Sequence, residues 1–210
     1  MRPAPLLVLL ALFGALCQAG WPVPAERVWS LGDFASFGWN WDAESVEARA
    51  GYLQVSESLY DKGLYAPVWA EGDFTLSLRF RALETRAWGG CGLFFGLTTP
   101  TGARTGHMAR VMAGNQVLAG SLLATQFADQ GVTGCPEIGR GWHTFEARVN
   151  ATQETWSIAL DGKVYLADLP LKQLAGYIGV DVCDGTFQFA ELKLTQISPV
   201  KPDKTPKHLG

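Results

Sequence analysis

Phe74-Thr75-Leu76-Ser77-Leu78-Arg79-Phe80 alternates apolar and polar residues without a break. A period of two is the signature of a strand with one buried face. Leu93-Phe94-Phe95-Gly96-Leu97 is instead continuously apolar, as in a strand covered on both faces. Phe145, Ala147 and Val149 alternate with Glu146, Arg148 and Asn150. Trp156 to Leu160 and Lys163 to Leu166 flank Asp161-Gly162, a pair suited to the positive φ angles of a two-residue hairpin turn. Tyr177 to Cys183 and Phe187 to Leu194 read as the last two strands, with a bulge where the alternation slips after Phe189. Helical signal is confined to Ala43–Arg49 and Leu169–Ala175, a turn or two each. Residues 20–198 are therefore expected to form one all-β domain. Two antiparallel sheets packed as a jelly-roll β-sandwich are the natural solution for so many strands.

Composition agrees. The chain of 210 residues is 48% hydrophobic and 18% charged, with 24 Gly and 11 Pro. That is too apolar for disorder and fits many short strands joined by turns. The net charge of −3 carries no basic surplus, so nucleic acid is not an expected partner.

The N-terminus reads as an export signal. Arg2 precedes the apolar run Leu6 to Leu16, and Cys17-Gln18-Ala19 ends in a small residue. The expectation is a signal peptide over residues 1–19 and a protein secreted or held in the periplasm or cell envelope. The apolar run is short for a transmembrane helix. An acylated Cys17 is the rival reading, which the bulky Leu16 before it opposes. The bias toward Ala, Leu, Gly and Arg has a bacterial character, and Asn150-Ala151-Thr152 is then a chance glycosylation sequon. Residues 199–210 alternate Pro and Lys without apolar periodicity and read as a flexible basic tail.

Export permits a disulfide. Cys91, Cys135 and Cys183 follow the signal, an odd number. Cys135, in a turn-like Thr133-Gly134-Cys135-Pro136, is expected to pair with Cys91 or Cys183; spacing alone does not choose. No His/Cys cluster suggests zinc.

The order of motifs resembles a known family. It runs through Gly51-Tyr52-Leu53-Gln54-Val55, then Gly72 to Phe80, then Gly92-Leu93-Phe94-Phe95-Gly96. Gly141-Trp142-His143-Thr144-Phe145, the Leu160 to Lys163 turn, Gly176-Tyr177-Ile178-Gly179-Val180 and Phe187 to Leu192 follow. This is similar to the concanavalin A-like lectin/glucanase jelly roll, and within it to laminin G-like and bacterial 3-keto-disaccharide hydrolase domains. The resemblance spans most of residues 30–195 and implies a fold shared by binders and enzymes. The family-16 glucanase pattern Glu-x-Asp-x-x-Glu begins at Glu71-Gly72-Asp73 but meets Leu76 where the last Glu belongs. The Asn-Ser-Gly and Tyr-Glu elements of the hydrolase domains are replaced by Trp88 to Gly92 and Gly106 to Ala109. The resemblance also implies a structural calcium ion, for which Asp184 in the Cys183-Asp184-Gly185 turn is the candidate ligand.

Glycoside hydrolysis needs two carboxylates facing one cleft. Asp181 and Glu146 are the strand acids that could serve. Asp181 should point away from the face of Ile178, Val180 and Val182. The eight tryptophans are a stronger signal. Trp142 and Trp156 read as core. Trp39, Trp41, Trp69 and Trp88 lie among Gly, Pro, Asn and Asp, where an aromatic ring can stack on a sugar and polar neighbours take its hydroxyls. The expected function is a secreted, lectin-like module binding a polysaccharide or other glycan. The alternatives are a glycoside hydrolase-like enzyme with an atypical acid pair, and a laminin G-like adhesion module.

Overall fold

The computed structural model describes residues 25–33, 38–58, 62–101, 105–124 and 126–196. The expected signal peptide and the Pro/Lys tail lie outside them. The strands are β1 Ala25–Ser30, β2 Asn40–Trp41, β3 Ser45–Arg49, β4 Tyr52–Glu57, β5 Lys62–Glu71, β6 Phe74–Leu97 and β7 Thr105–Met112. They continue with β8 Gln116–Leu123, β9 Gln126–Gly134, β10 His143–Asn150, β11 Thr155–Leu160, β12 Lys163–Pro170 and β13 Ala175–Gln196. All pairings are antiparallel. Among the described residues no helix is long and apolar enough to cross a membrane.

Two strands organise the rest. At 24 residues, β6 would span about 80 Å if straight, far more than one sheet needs. Both β6 and β13 therefore bend and serve two sheets. The register between them breaks at Cys183/Gly185, and the residue between, Asp184, has φ 37°. In the first sheet the beginning of β6 and the end of β13 are flanked by β10-β11-β12 on one side and by β1 and β4-β3 on the other. In the second, the end of β6 and the beginning of β13 are flanked by β7-β8-β9 and by β5-β2. The result is the two-sheet antiparallel sandwich.

Alternation fills the space between the sheets. Leu76, Leu78, Phe80, Phe145, Ala147, Leu192 and Leu194 point in from the first sheet. Leu93, Phe95, Ala109, Val111, Ile178, Val180 and Val182 meet them from the second. A separate buried cluster of Tyr65, Phe94, Leu97, Met108 and Leu122 covers the outer face of the second sheet. That cluster explains why Leu93 to Leu97 is apolar throughout. The Asp161-Gly162 hairpin is present with φ 50° and 79°, and the register slips between Phe189 and Glu191 as expected.

Several local expectations are corrected. Ala43–Arg49 is not helical: Ser45–Arg49 is an edge strand on β4, turned by Gly51 at φ 80°, with Val46 against the core. Leu169 and Pro170 end β12, and no helix follows before β13. Among the described residues no disulfide joins Cys135 to Cys91 or Cys183. Cys91 faces the core while Cys183, opposite Gly90, faces the other side of its sheet. From Cys91 the register runs through Val111 and Val117 to Thr133 near Cys135. Three strand steps of about 4.8 Å separate them, well beyond disulfide reach. Burial pushes the Cys91 thiol well above its ordinary value, as does the nearby Asp181 charge, so Cys91 is an inert core residue.

His107 is buried in the core, stacked on Phe95 with centroids 5.0 Å apart. Its Nε2 accepts the backbone N–H groups of Lys172 (3.2 Å) and Gln173 (3.1 Å), which fixes the crossing from β12 to β13. Burial, then the Lys172 charge, lowers its pKa to about 4. This is below the unfolded value near 6.5, so the neutral ring stabilises the fold fully above pH 6.5. That contribution is lost as pH falls toward 4 and amounts to about 3 kcal/mol. Denaturant unfolding between pH 7 and pH 4 should show this loss, and His107→Gln, which accepts without titrating, should remove most of it. An unchanged pH profile in that variant would dismiss His107 as its source.

Candidate functional site

The outer face of the second sheet carries an arrangement that the strand register dictates. Arg110 on β7, Gly92 on β6, Asp181 on β13 and Gly63 on β5 fall in one row. Arg110 and Asp181 are two strands apart, about 10 Å between backbones. They meet across Gly92, where a Cβ would run into the Ala109 carbonyl oxygen and come within 2.8 Å of Arg110 Cα. Gly90 helps: a Cβ there would come within 2.9 Å of Arg110 Cδ. A Cβ on Gly63 would come within 2.9 Å of the Phe94 ring.

Over this glycine floor Arg110 Nε donates to Asp181 Oδ2 (2.5 Å) and Nη2 to Oδ1 (2.8 Å). The pair is bidentate, with Arg110 4% and Asp181 0% exposed. A bidentate guanidinium–carboxylate bond has the geometry that tolerates burial; either partner alone would be an uncompensated buried charge. Tyr65 and Phe94 stack alongside at 6.0 Å. Asp42 ties Tyr65 to the neighbouring edge, accepting from its hydroxyl (3.1 Å) and from the Gly63 N–H (2.8 Å).

The expected site residues distribute unevenly over this frame. Asp181 does point away from the core, but its two oxygens bind Arg110. Glu146 lies on the outer face of the first sheet, bonded to Arg148 Nη2 at 2.5 Å. The two acids are on opposite sides of the sandwich and share no cleft. Trp69 is 42% exposed and stands edge-on to Tyr177, 5.2 Å between centroids, at one end of the Asp181 face. Trp88, 63% exposed, borders the other end, where its carbonyl accepts the Cys183 thiol (3.3 Å). Trp41 is half-exposed on the edge strand β2. Trp39 is instead core: it is 4% exposed and T-shaped on Trp29. Trp142 is not core; it lies over Arg79 and Arg81 on the outside of the first sheet.

Asp184, the candidate calcium ligand, lies in the turn where β13 passes from one sheet to the other. Its carboxylate is 3.4 Å from Arg86 Nη1, and the described residues contain no group of three His, Cys, Asp or Glu side chains suited to a metal. Sequence reasoning missed Arg110. The signal was there: one Arg in the otherwise apolar Met108-Ala109-Arg110-Val111-Met112, matched by the lone Asp in Val180-Asp181-Val182.

The pair makes a stability prediction. Asp181→Asn and Arg110→Met should each cost about 3–5 kcal/mol in denaturant unfolding, because each strands a buried charge or donor. The double change Arg110→Met/Asp181→Leu should regain much of that loss. Single variants that unfold at the parent midpoint would contradict the argument.

No protein-family profile and no curated protein sequence matches the chain. Solved structures do. The carbohydrate binding module CBM66 from Bacillus subtilis superposes with a TM-score of 0.66 at 18% identity, over 74% of this chain and 94% of that one. A Bacillus subtilis protein of unknown function with a galectin-like fold gives 0.64 at 12% identity, over 83% and 98%. A native glycosidic hydrolase gives 0.61 at 12% identity, over 85% and 99%. At such identities the likeness shows the fold alone: a two-sheet antiparallel jelly-roll sandwich of the concanavalin A-like kind.

Proposed function

We propose that the protein is an exported, non-catalytic carbohydrate-binding module that takes its glycan on the outer face of the second sheet. The observation that carries this reading is the pair of exposed tryptophans bounding that face, Trp69 and Trp88. Along β13 the residues they border, Tyr177 and Cys183, are six apart, about 20 Å of strand. Between them Arg110, Asp181 and Tyr65 are buried, so the two tryptophans stand at the ends of a closed, rigid layer. Exposed aromatic rings on a rigid support suit stacking on the apolar faces of saccharide rings. Lectin-like and carbohydrate-binding structures among the solved neighbours support the same class. Export rests on the N-terminal sequence.

The hydrolase reading has lost the acid pair it rested on, since Asp181 and Glu146 face opposite sides. Binding and catalysis separate in one experiment. The purified protein is mixed with insoluble and soluble polysaccharides, and both its depletion from solution and the release of reducing sugar are measured. Depletion without release is expected. Trp69→Ala and Trp88→Ala should each weaken retention about tenfold, or about 1.4 kcal/mol, with stability unchanged. Trp39→Ala should instead destabilise the fold by about 3–5 kcal/mol. Sugar release, or retention indifferent to both exposed tryptophans, would overturn the reading.

A further inference from the structure

The outer face of the first sheet has a charge arrangement that the glycan face does not explain. Arg148 there pairs with Glu146 (2.5 Å) and Lys193 with Glu26 (2.7 Å). Arg79 and Arg81 make no ion pair among the described residues. Glu191 stands opposite Arg79 in the register yet does not bond to it. The two arginines are alternate residues of β6, about 7 Å apart along the strand. Like charges that close repel, and the whole chain is otherwise acidic, with a net charge of −3.

What holds them is aromatic and amide chemistry. The Trp142 ring centroid lies 5.3 Å from Arg79 Cζ and 4.9 Å from Arg81 Cζ, and the Tyr52 centroid 5.9 Å from Arg81 Cζ. Gln54, Gln188 and Arg81 form one row across β4, β13 and β6. In that row Arg81 Nε donates to Gln188 Oε1 (2.5 Å), and Gln188 Nε2 donates to Gln54 Oε1 (2.9 Å). Gln188 is buried, so this anchor is fixed. It occupies the inner edge of the Arg81 guanidinium. The terminal Nη groups of both arginines have no hydrogen-bond acceptor among the described residues.

We propose that Arg79, Arg81 and Trp142, with Tyr52 and Gln188 in support, form a second binding site, for an anionic group on a saccharide: the carboxylate of a uronic acid or a sulfate ester. Guanidinium forks match both groups with paired N–H donors, and stacking on aromatic faces orients them beforehand. Trp142, partly exposed, gives the sugar ring an apolar neighbour beside the two guanidinium groups. The site is on the opposite side of the sandwich from Trp69 and Trp88, and it does not depend on the glycan reading of that face.

Titration calorimetry on the purified protein tests it with four probes: an oligouronate, a sulfated oligosaccharide, a neutral oligosaccharide and a short polyphosphate. Binding of the oligouronate or the sulfated sugar is expected, and which of them binds names the source of the anion. Arg79→Gln, an exposed change outside the amide row, should weaken it at least about tenfold. Arg81→Lys should weaken it while keeping the charge, because the fork is lost. Trp69→Ala should leave it unchanged, which separates its fate from that of the other face. Raised salt should reduce affinity without abolishing it. No binding of either anionic sugar overturns the proposal. So does equal binding of polyphosphate, which would signify general attraction to polyanions, and so does an anionic sugar whose affinity is indifferent to Arg79→Gln.

Discussion

The Arg110–Asp181 bond constrains the second sheet more than any other contact. It forms across Gly92, a position closed to any side chain because a Cβ there would meet the Ala109 carbonyl. Gly90 is imposed beside it by the arginine stem. Once two charges lie on the face, water must be kept from them and every polar atom matched, and Tyr65, Phe94 and Met108 supply the apolar surround. A face that would ordinarily be wet thus becomes a second, smaller core. Buried pairs of this kind add little net stability over apolar packing, but they penalise every wrong register severely. In a sheet where a one-residue slip would turn each side chain to the wrong side, that penalty selects a single arrangement.

The two outer faces are consequently different materials. One has a glycine floor, a sealed charge pair and exposed tryptophans at its ends. The other is an ordinary polar surface, on which most charges are paired locally and two arginines are held by rings and amides instead. β6 and β13 contribute to both. Residues 79 and 81 face one side of the molecule, while residues 90 and 92 of the same strand serve the other.

Much of the sandwich was legible because alternation is local. The strand at Phe74 to Phe80, the Asp161-Gly162 hairpin and the slip after Phe189 can be read from a few adjacent residues. β8 and β9 were harder, since Gln, Ala, Gly and Ser there carry little hydrophobic period. Ala43–Arg49 has helix-forming composition, yet Val46 gains more by packing on the core from an edge strand. The site was less legible because it is not local. Arg110 and Asp181 are 71 positions apart and meet only through the strand order. The tryptophans show the same limit: Trp39, in a Gly- and Asn-rich turn, is claimed by Trp29 for the core, whereas Trp142, beside a strand, is drawn outward by two arginines. Neighbours in sequence reported polarity well and destination poorly.

The position of β13 in chain order has a kinetic meaning. It is the last strand of the described residues, yet it lies at the centre of both sheets, pairing with β1, β4, β5 and β6. Until it arrives, β5 with its small partner β2 is separated from β6, and β3-β4 has no sheet to join. Most of the native contacts therefore bridge long stretches of chain, an arrangement that closes slowly. A partial chain ending before Ala175 would hold hairpins but neither finished sheet. The domain is in effect locked by β13, the strand that closes both sheets at once.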